Sequence, residues 1–288
     1  MTNTILVLGA TGNVGSQVVK QLAAAGANTR AAVHSTSKAD TIKGAGVSFV
    51  EIDFNKPETI QAAFVGVEKV FLLTPPFPNM AEIVANLVEA AKKAGVKRIV
   101  KQSGLGTGTE PKATLLGWHW EGEKMIEASG IPFTFLRPNS FMQNYSNTSG
   151  KTIKTQSIFY KPMEDAKVSL VDVRDIAAVA VAALTQSGHE GKAYDITGPE
   201  ALSNEEIAEI ISTIVGRKIT YKDVSDDKAS LGMKAAGMPE VLVDAFIELN
   251  RIQKQGRASA VSPVVEQVTG KKPIFFEQFA REHVEAFQ

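Results

Sequence analysis

Short apolar runs alternate with amphipathic stretches over the first half of the chain. The run Ile5–Leu8 is short enough for a buried strand, and from Asn13 onward apolar residues recur at helical spacing. Similar runs predict strands at 28–33, 47–52, 69–73, 98–102 and 132–136, with helical patterns at 57–64, 80–94 and 118–129 between them. Strands that alternate with helices are typical of a doubly wound α/β fold with a mostly parallel sheet. Right-handed crossovers predict the strand order 3-2-1-4-5.

The second half of the chain is less regular. A short apolar segment at 167–171 precedes a helix that extends to Leu184, and 193–197 has the pattern of another strand. The last third, Leu202–Gln288, has mostly helical patterns interrupted by Gly and Pro. We therefore predict an α/β domain over 1–150, to which strands around 168–197 return. A smaller, mainly helical region over 151–288 is expected to cap the ligand crevice.

Three glycines follow the first predicted strand at intervals of three residues. Gly9 would allow a sharp turn, Gly12 would let the backbone approach a pyrophosphate, and Gly15 would let the next helix pack closely on the strand. The N-terminus of that helix favours an anion at the same loop. Because the loop joins a strand to a helix within a βαβ unit, it predicts dinucleotide binding; the alternative is a purely structural turn. The predicted contacts are Gly9, Ala10, Thr11, Gly12, Asn13 and Val14.

The residues after the second predicted strand bear on which dinucleotide binds. An NAD site usually has an acid there for the ribose 2′-hydroxyl, whereas a 2′-phosphate needs hydroxyls and cations. No acid lies between Thr29 and Ala39, and His34, Ser35 and Lys38 can donate hydrogen bonds to a phosphate. The sequence therefore favours NADP(H), with NAD(H) as the alternative.

Further cofactor contacts are expected after the third, fourth and fifth strands, because ligands of such sheets bind beyond the carboxyl ends of the strands. These contacts are Asp53, Phe54, Thr74, Pro75 and Ser103. Asp53 would accept a hydrogen bond from the adenine amino group, or alternatively it stabilises the turn into the next helix.

Four stretches together resemble the NmrA-like group of atypical short-chain dehydrogenase/reductases: Gly9–Gly15, Ser129–Pro138, Val171–Ala177 and Ile196–Ser203. Within it, the chain is most similar to the NADPH-dependent quinone reductase and triphenylmethane-dye reductase subgroup. This resemblance implies a Rossmann-type domain, a small C-terminal substrate domain and NADPH as cofactor. The Arg that closes strand two in those relatives is replaced here by His34.

The resemblance also implies site residues in the second half of the chain. Segment 138–143 resembles the loop that lies along the nicotinamide, so Pro138, Asn139 and Phe141 are predicted cofactor contacts. Aromatic side chains would suit a flat acceptor. The predicted substrate pocket is Phe77, Trp118, Phe141 and Tyr145, and the alternative is that these aromatic residues belong to the core.

The Tyr-x-x-x-Lys pair of most dehydrogenases in the wider superfamily does not occur after the fifth strand. One register pairs Trp120 with Lys124, and an indole cannot exchange the proton. In the register set by Glu123 and Arg137, which we prefer, His119 occupies the Lys position and Leu115 the Tyr position. A quinone or dye takes hydride into a conjugated system, so solvent can complete the protonation and positioning matters more than an acid. His119 is the candidate catalytic residue, and a structural histidine is the alternative.

Composition narrows the range of partners. The 31 basic and 31 acidic residues balance, which gives no indication of nucleic acid or a membrane surface. The chain has no cysteine, and its four histidines lack the spacing of a metal site. No apolar run reaches the roughly 18 residues of a membrane span, and the first strand begins too early for a signal peptide. We expect a cytoplasmic monomer or homodimer without a metal.

Two functions follow. The first is an NADPH-dependent oxidoreductase that passes hydride directly to a small aromatic or quinoid acceptor, either a quinone or an azo or triphenylmethane dye, without a Tyr/Lys proton donor. The second is a non-catalytic NADP(H)-sensing regulator that acts through protein partners, since the namesake members of the group bind dinucleotide yet act through protein contacts.

Overall fold

The computed structural model describes residues 3–35, 46–109 and 113–288. The chain forms two compact units. The first unit consists of Met1–Thr107, Leu116–Arg137 and Val173–Tyr194, and the second of Gly108–Leu115, Pro138–Asp172 and Asp195–Gln288.

A seven-stranded sheet has the order β3-β2-β1-β4-β5-β6-β8, and β7 pairs with β9 in a separate parallel sheet. The strands are β1 (Thr4–Val7), β2 (Thr29–Val33), β3 (Val47–Glu51), β4 (Val67–Leu72), β5 (Arg98–Gln102), β6 (Phe133–Pro138), β7 (Ile158–Lys161), β8 (Lys192–Ile196) and β9 (Thr220–Asp223). Neighbouring strands from β3 to β6 pair in parallel. The predicted order of the first five strands is confirmed.

Eleven α-helices accompany these strands in the described ranges. They are α1 (Asn13–Ala24), α2 (Pro57–Phe64), α3 (Met80–Ala94), α4 (Thr114–Ala128), α5 (Gly150–Gln156), α6 (Val173–Thr185), α7 (Asn204–Val215), α8 (Asp226–Ala235), α9 (Glu240–Ile252), α10 (Val264–Thr269) and α11 (Phe276–Glu282). Helix α4 starts at Thr114 rather than at the predicted Trp118, because Leu115 and Leu116 are buried as part of it. Among these helices, none is both long and apolar enough to cross a bilayer.

Burial explains why the first unit could be predicted from the sequence. Strand β1 is buried along its whole length, so it is a continuous apolar run rather than an alternating pattern. Helix α1 buries one stripe of its surface, Val14, Val18, Val19 and Leu22. Its Gln21 amide donates to the Arg174 carbonyl oxygen of α6 at 3.0 Å, so α6 belongs to this unit.

The second unit differs from the predicted region over 151–288. Besides Gly108–Leu115, it includes residues 138–150, because Met142 and Tyr145 are buried in its core with Phe159 and Phe276. It also contains the pair β7 and β9, which the helical patterns did not predict. Helix α7 begins with a capping box, in which the Ser203 hydroxyl and the Glu206 carboxylate accept from each other's backbone N–H.

Candidate functional site

The loop between β1 and α1 is held tightly by its own backbone. Gly9 has a φ of +67°, a left-handed conformation that favours glycine, and the Gly12 N–H donates to the Gly9 carbonyl oxygen at 2.9 Å. A Cβ on Gly15 would overlap that carbonyl oxygen. The fold itself therefore requires glycine at positions 9 and 15.

Gly12 differs from the other two glycines. Its φ of −82° is one that any residue adopts, and a Cβ there would lie 3.3 Å from the Gly9 oxygen, which is close but not an overlap. Gly12 is the N-cap of α1, where no described side chain caps the helix and the first turn holds no acid. The positive end of α1 is therefore accessible to an anion. Thr11, Gly12 and Asn13 are exposed, whereas Ala10 and Val14 are buried.

The residues predicted to select the cofactor follow β2, the parallel neighbour of β1. His34 is exposed and Ser35 is half-buried. Because adjacent parallel strands end at the same edge of the sheet, both lie at the edge where the glycine loop begins. Lys38 lies outside the described residues. Contact of His34 and Ser35 with a 2′-phosphate stays a prediction.

Asp53 is engaged in a local turn after β3. Its Oδ1 accepts from the Asn55 backbone N–H at 3.0 Å, and its Oδ2 lies 3.7 Å from Lys56 Nζ. The Asn55 hydrogen bond is the largest of the effects that hold the pKa of the Asp53 carboxyl below its usual value. Phe54 is partly buried against the core of the first unit. The turn interpretation therefore accounts for one carboxylate oxygen, and the adenine interpretation stays a prediction.

Two buried polar atoms at the ends of β4 and β5 have no hydrogen-bond partner among the residues that the structure describes. They are the Thr74 hydroxyl oxygen and the Gln102 amide oxygen. Leaving a buried polar group unpaired costs about 1–3 kcal/mol. The strands are parallel neighbours, with Leu72 opposite Lys101, so both atoms lie at the edge that carries the glycine loop. A polar ligand such as a nucleotide, with hydroxyl and amide groups, fits this pair.

Gln102 was not among the predicted site residues. The signal that could have found it is a long polar side chain at the last position of a strand that is otherwise buried. Ser103, which was predicted, is also buried, and its N–H donates to the Leu136 carbonyl oxygen at 2.7 Å. Its hydroxyl accepts from Lys101 Nζ at 2.9 Å, so Ser103 connects the sheet edge to a buried cluster of charged side chains.

That cluster joins β5, α4 and β6. Lys101 Nζ is fully buried and lies 3.2 Å from His119 Nδ1, and the Glu123 carboxylate, also fully buried, accepts two hydrogen bonds from Arg137. Burial lowers the pKa of Lys101 to about 7; the Glu123 charge partly opposes this, and Arg137 adds to it. Burial, and secondarily Lys101, hold the pKa of His119 well below 6.5. His119 is therefore neutral at physiological pH.

The loop after β6 lies in the second unit, where the Asn139 side chain is fully used by the protein. Its amide nitrogen donates to the Ser169 hydroxyl at 2.9 Å and to the Ala258 carbonyl oxygen at 2.8 Å, and its amide oxygen accepts from the Ser140 N–H. The structure thus gives Asn139 a loop-fixing role that the sequence did not predict. Pro138 is buried, while Phe141 is half-buried and bridges to Val171.

The predicted aromatic residues have different environments. In the first unit, Phe77 is exposed after the half-buried Pro75, and Trp118 is partly buried against the core. In the second unit, Tyr145 is buried, its hydroxyl donates to Asn204 Oδ1 at 2.8 Å, and its ring packs edge-on against two phenylalanines. Tyr145 is therefore a core residue here rather than a pocket wall, because both its polar and apolar atoms have protein partners.

Comparison with known proteins identifies similar chains over the full length. The model of the NmrA-like family matches residues 1–279. An NAD(P)H azoreductase from Xenophilus azovorans is 40% identical over 283 residues, which cover 98% of this chain and 99% of the relative.

Two solved structures are also similar. One is the NADPH complex of an NADPH-dependent quinone oxidoreductase from Escherichia coli, with a TM-score of 0.87, 27% identity, and coverage of 98% of this chain and 99% of the other. The second is a Citrobacter sp. triphenylmethane reductase complexed with NADP(H), with a TM-score of 0.84, 27% identity, and coverage of 97% and 99%.

Proposed function

The chain belongs to the NmrA-like family, and from this premise we propose that it is an NADPH-dependent oxidoreductase that transfers hydride to a small conjugated acceptor. Quinones and azo compounds are the favoured acceptors, because similar proteins are named an azoreductase and a quinone oxidoreductase. The bound cofactor would supply the hydride. The residues of this chain would bind and orient it and provide hydrogen bonds to the acceptor.

The observation that carries this proposal is the environment of Gly12. The backbone there needs no glycine, yet a side chain would occupy the space in front of the N-terminus of α1. Backbone strain does not explain the glycine at position 12, but the close approach of a diphosphate does. The unpartnered oxygens of Thr74 and Gln102 at the same sheet edge support a polar ligand that extends beyond the diphosphate.

The acceptor class follows from the proton chemistry of the chain. No tyrosine precedes Tyr145, so no phenol occupies the motif position after the fifth strand, and the buried Tyr145 hydroxyl already donates to Asn204 Oδ1. Ketone reduction needs an acid for the developing alkoxide, whereas a quinone or azo group delocalises the charge. We therefore favour conjugated acceptors, with His119 as the candidate hydrogen-bond donor.

Anaerobic mixing of the purified protein with NADPH and a panel of quinones and azo dyes, followed by the loss of NADPH absorbance, tests this function. Gly12→Val should abolish NADPH binding while the protein still folds, because its φ suits valine. Gly232→Val is the matched control, since the φ of Gly232 is not positive and no atom lies within 4 Å of a Cβ built there. Equal NADPH affinity in Gly12→Val and the parent protein would refute the placement of the diphosphate.

Cofactor preference is tested at His34. His34→Arg should strengthen NADPH binding relative to NADH, and His34→Asp should reverse the preference, because a carboxylate repels a 2′-phosphate. Unchanged ratios in both variants would remove His34 from the site. NADPH binding without oxidation by any acceptor would instead favour the alternative, an NADP(H)-sensing regulator.

A further inference from the structure

Helix α4 places three chemically distinct residues on one face, because His119, Gly122 and Glu123 are three and four positions apart. This face meets Lys101 of β5. A Cβ on Gly122 would lie 3.1 Å from Lys101 Cε, so the glycine leaves space for the lysine stem. Glu123 is paired with Arg137 by hydrogen bonds of 2.6 and 3.2 Å.

The Lys101 ammonium has three N–H groups, and the structure gives each a partner. They are the Gln102 carbonyl oxygen at 3.2 Å, the Ser103 hydroxyl at 2.9 Å and His119 Nδ1 at 3.2 Å. An ammonium group only donates. His119 Nδ1 must therefore accept, and the proton of the neutral ring is on Nε2. Among the described residues, no other group forms a hydrogen bond with this ring.

We propose that Lys101 is a positioning residue for His119, holding the imidazole as its Nε2–H tautomer and restoring through Nδ1 the proton that Nε2 gives to the reduced acceptor. This inference rests on the proposed function. It deepens that function by supplying the proton donor that the missing tyrosine would have provided.

The proton balance is closed for an azo acceptor. Bound NADPH would supply the hydride and be oxidised to NADP⁺. The hydride adds to one nitrogen of the N=N bond, and its electron pair forms the new N–H bond while the π bond breaks. The second nitrogen then takes the Nε2 proton, and a Lys101 proton moves to Nδ1. The acceptor is then a hydrazine, Lys101 is a neutral amine and His119 is the Nδ1–H tautomer. Uptake of one proton from solvent restores the Lys101–His119 pair.

The arrangement predicts a pH dependence. The charged and titratable groups around Lys101 are His119 and Glu123 of α4 and Arg137 of β6, and Glu123 and Arg137 largely neutralise each other. Loss of the Lys101 proton as the pH rises through about 7 leaves an amine that can accept from Nδ1–H, so the tautomer is no longer fixed. Turnover with an azo acceptor should therefore fall over the same range.

The first measurement needs no substrate. In the ¹⁵N-labelled protein without cofactor, His119 should be the Nε2–H tautomer at pH 6 and a tautomer mixture at pH 8, with its resonances assigned by comparison with His119→Gln. In Lys101→Met the mixture should persist across this range. The control variant Lys124→Met removes an exposed lysine of α4, the helix that contains His119, and should behave as the parent protein. An Nδ1–H tautomer in the parent protein at pH 6 would overturn the proposal.

The second measurement is a double-mutant cycle with NADPH and methyl red. His119→Gln and Lys101→Met should each lower kcat by about 100-fold, the lower end of general acid catalysis. The double variant should fall no further, and all three should lose the decline above pH 7. If the parent protein is active and the kcat losses of the two single variants add in the double variant, this inference is overturned and the proposed function stands. A parent protein that oxidises no NADPH with any acceptor would overturn both.

Discussion

Lys101→Met should change how the stability of the fold depends on pH. Burial lowers the pKa of Lys101 from 10.5 to about 7. In the unfolded chain this lysine keeps its proton up to about pH 10.5, whereas in the fold it keeps the proton only up to about pH 7. Between these values the unfolded state binds more protons, so the free energy of unfolding rises with pH.

The size of this effect follows from proton linkage. One such group contributes up to about 1.4 kcal/mol per pH unit, and half of that slope at the folded-state pKa. From pH 7 to pH 9, Lys101 should therefore raise the free energy of unfolding by an amount on the order of 2 kcal/mol. Methionine has nearly the same length and no charge, so the variant lacks this increase.

Urea unfolding of the cofactor-free protein at pH 7, 8 and 9, followed by far-UV circular dichroism, measures this difference. The variant also loses the hydrogen bonds of Lys101, so the comparison uses the slope of stability against pH rather than the stability at a single pH. Lys124→Met should retain the parental slope, because this lysine is half exposed. Parallel pH profiles for the parent protein and Lys101→Met would refute the buried, near-neutral lysine.

Three further changes test other contacts. Arg137→Met leaves the Glu123 carboxylate buried and unpaired, so unfolding in urea should show a loss of about 3–5 kcal/mol, and a loss below about 1 kcal/mol would contradict the pairing. Gln102→Met removes an unpartnered oxygen, so the melting temperature of the free protein should not fall, while calorimetry should show NADPH binding about tenfold weaker; unchanged affinity would place Gln102 outside the site. Ser203→Ala removes the capping box of α7 and should cost about 1 kcal/mol of stability in urea with unchanged NADPH affinity, and no loss would contradict the cap.

The first unit could be predicted because its information is local. Buried parallel strands are apolar runs, and the glycine loop lies within a dozen residues, so strand order and the phosphate loop follow from spacing. The pair β7 and β9 is different. Each strand has four residues, and the two are separated by more than fifty positions, so no local pattern connects them.

The cluster of Lys101, His119, Glu123 and Arg137 also could not be predicted from a local sequence pattern. Lys101 lies in a buried strand, and its pKa depends first on that burial and then on Glu123 and Arg137, which come from two later elements. The sequence identified His119 by register with a family motif, but not the lysine that orients it. Similarly, the hydrogen bonds of Asn139 with Ala258 and of Tyr145 with Asn204 join residues that lie far apart along the chain, so no local pattern contains them.

The hydrogen bonds from Asn139 to Ser169 and Ala258 also bear on engineering of this protein. Ser169 donates to the carbonyl oxygens of both Ala258 and Ala260. The backbone of the stretch that follows α9 therefore fixes the conformation of the loop after β6 through Asn139 and Ser169. An insertion or deletion between α9 and α10 would move these carbonyl oxygens and change the conformation of the loop, although the two segments are more than a hundred residues apart. Grafting a longer connection there would change the conformation of that loop without a single substitution in the loop itself.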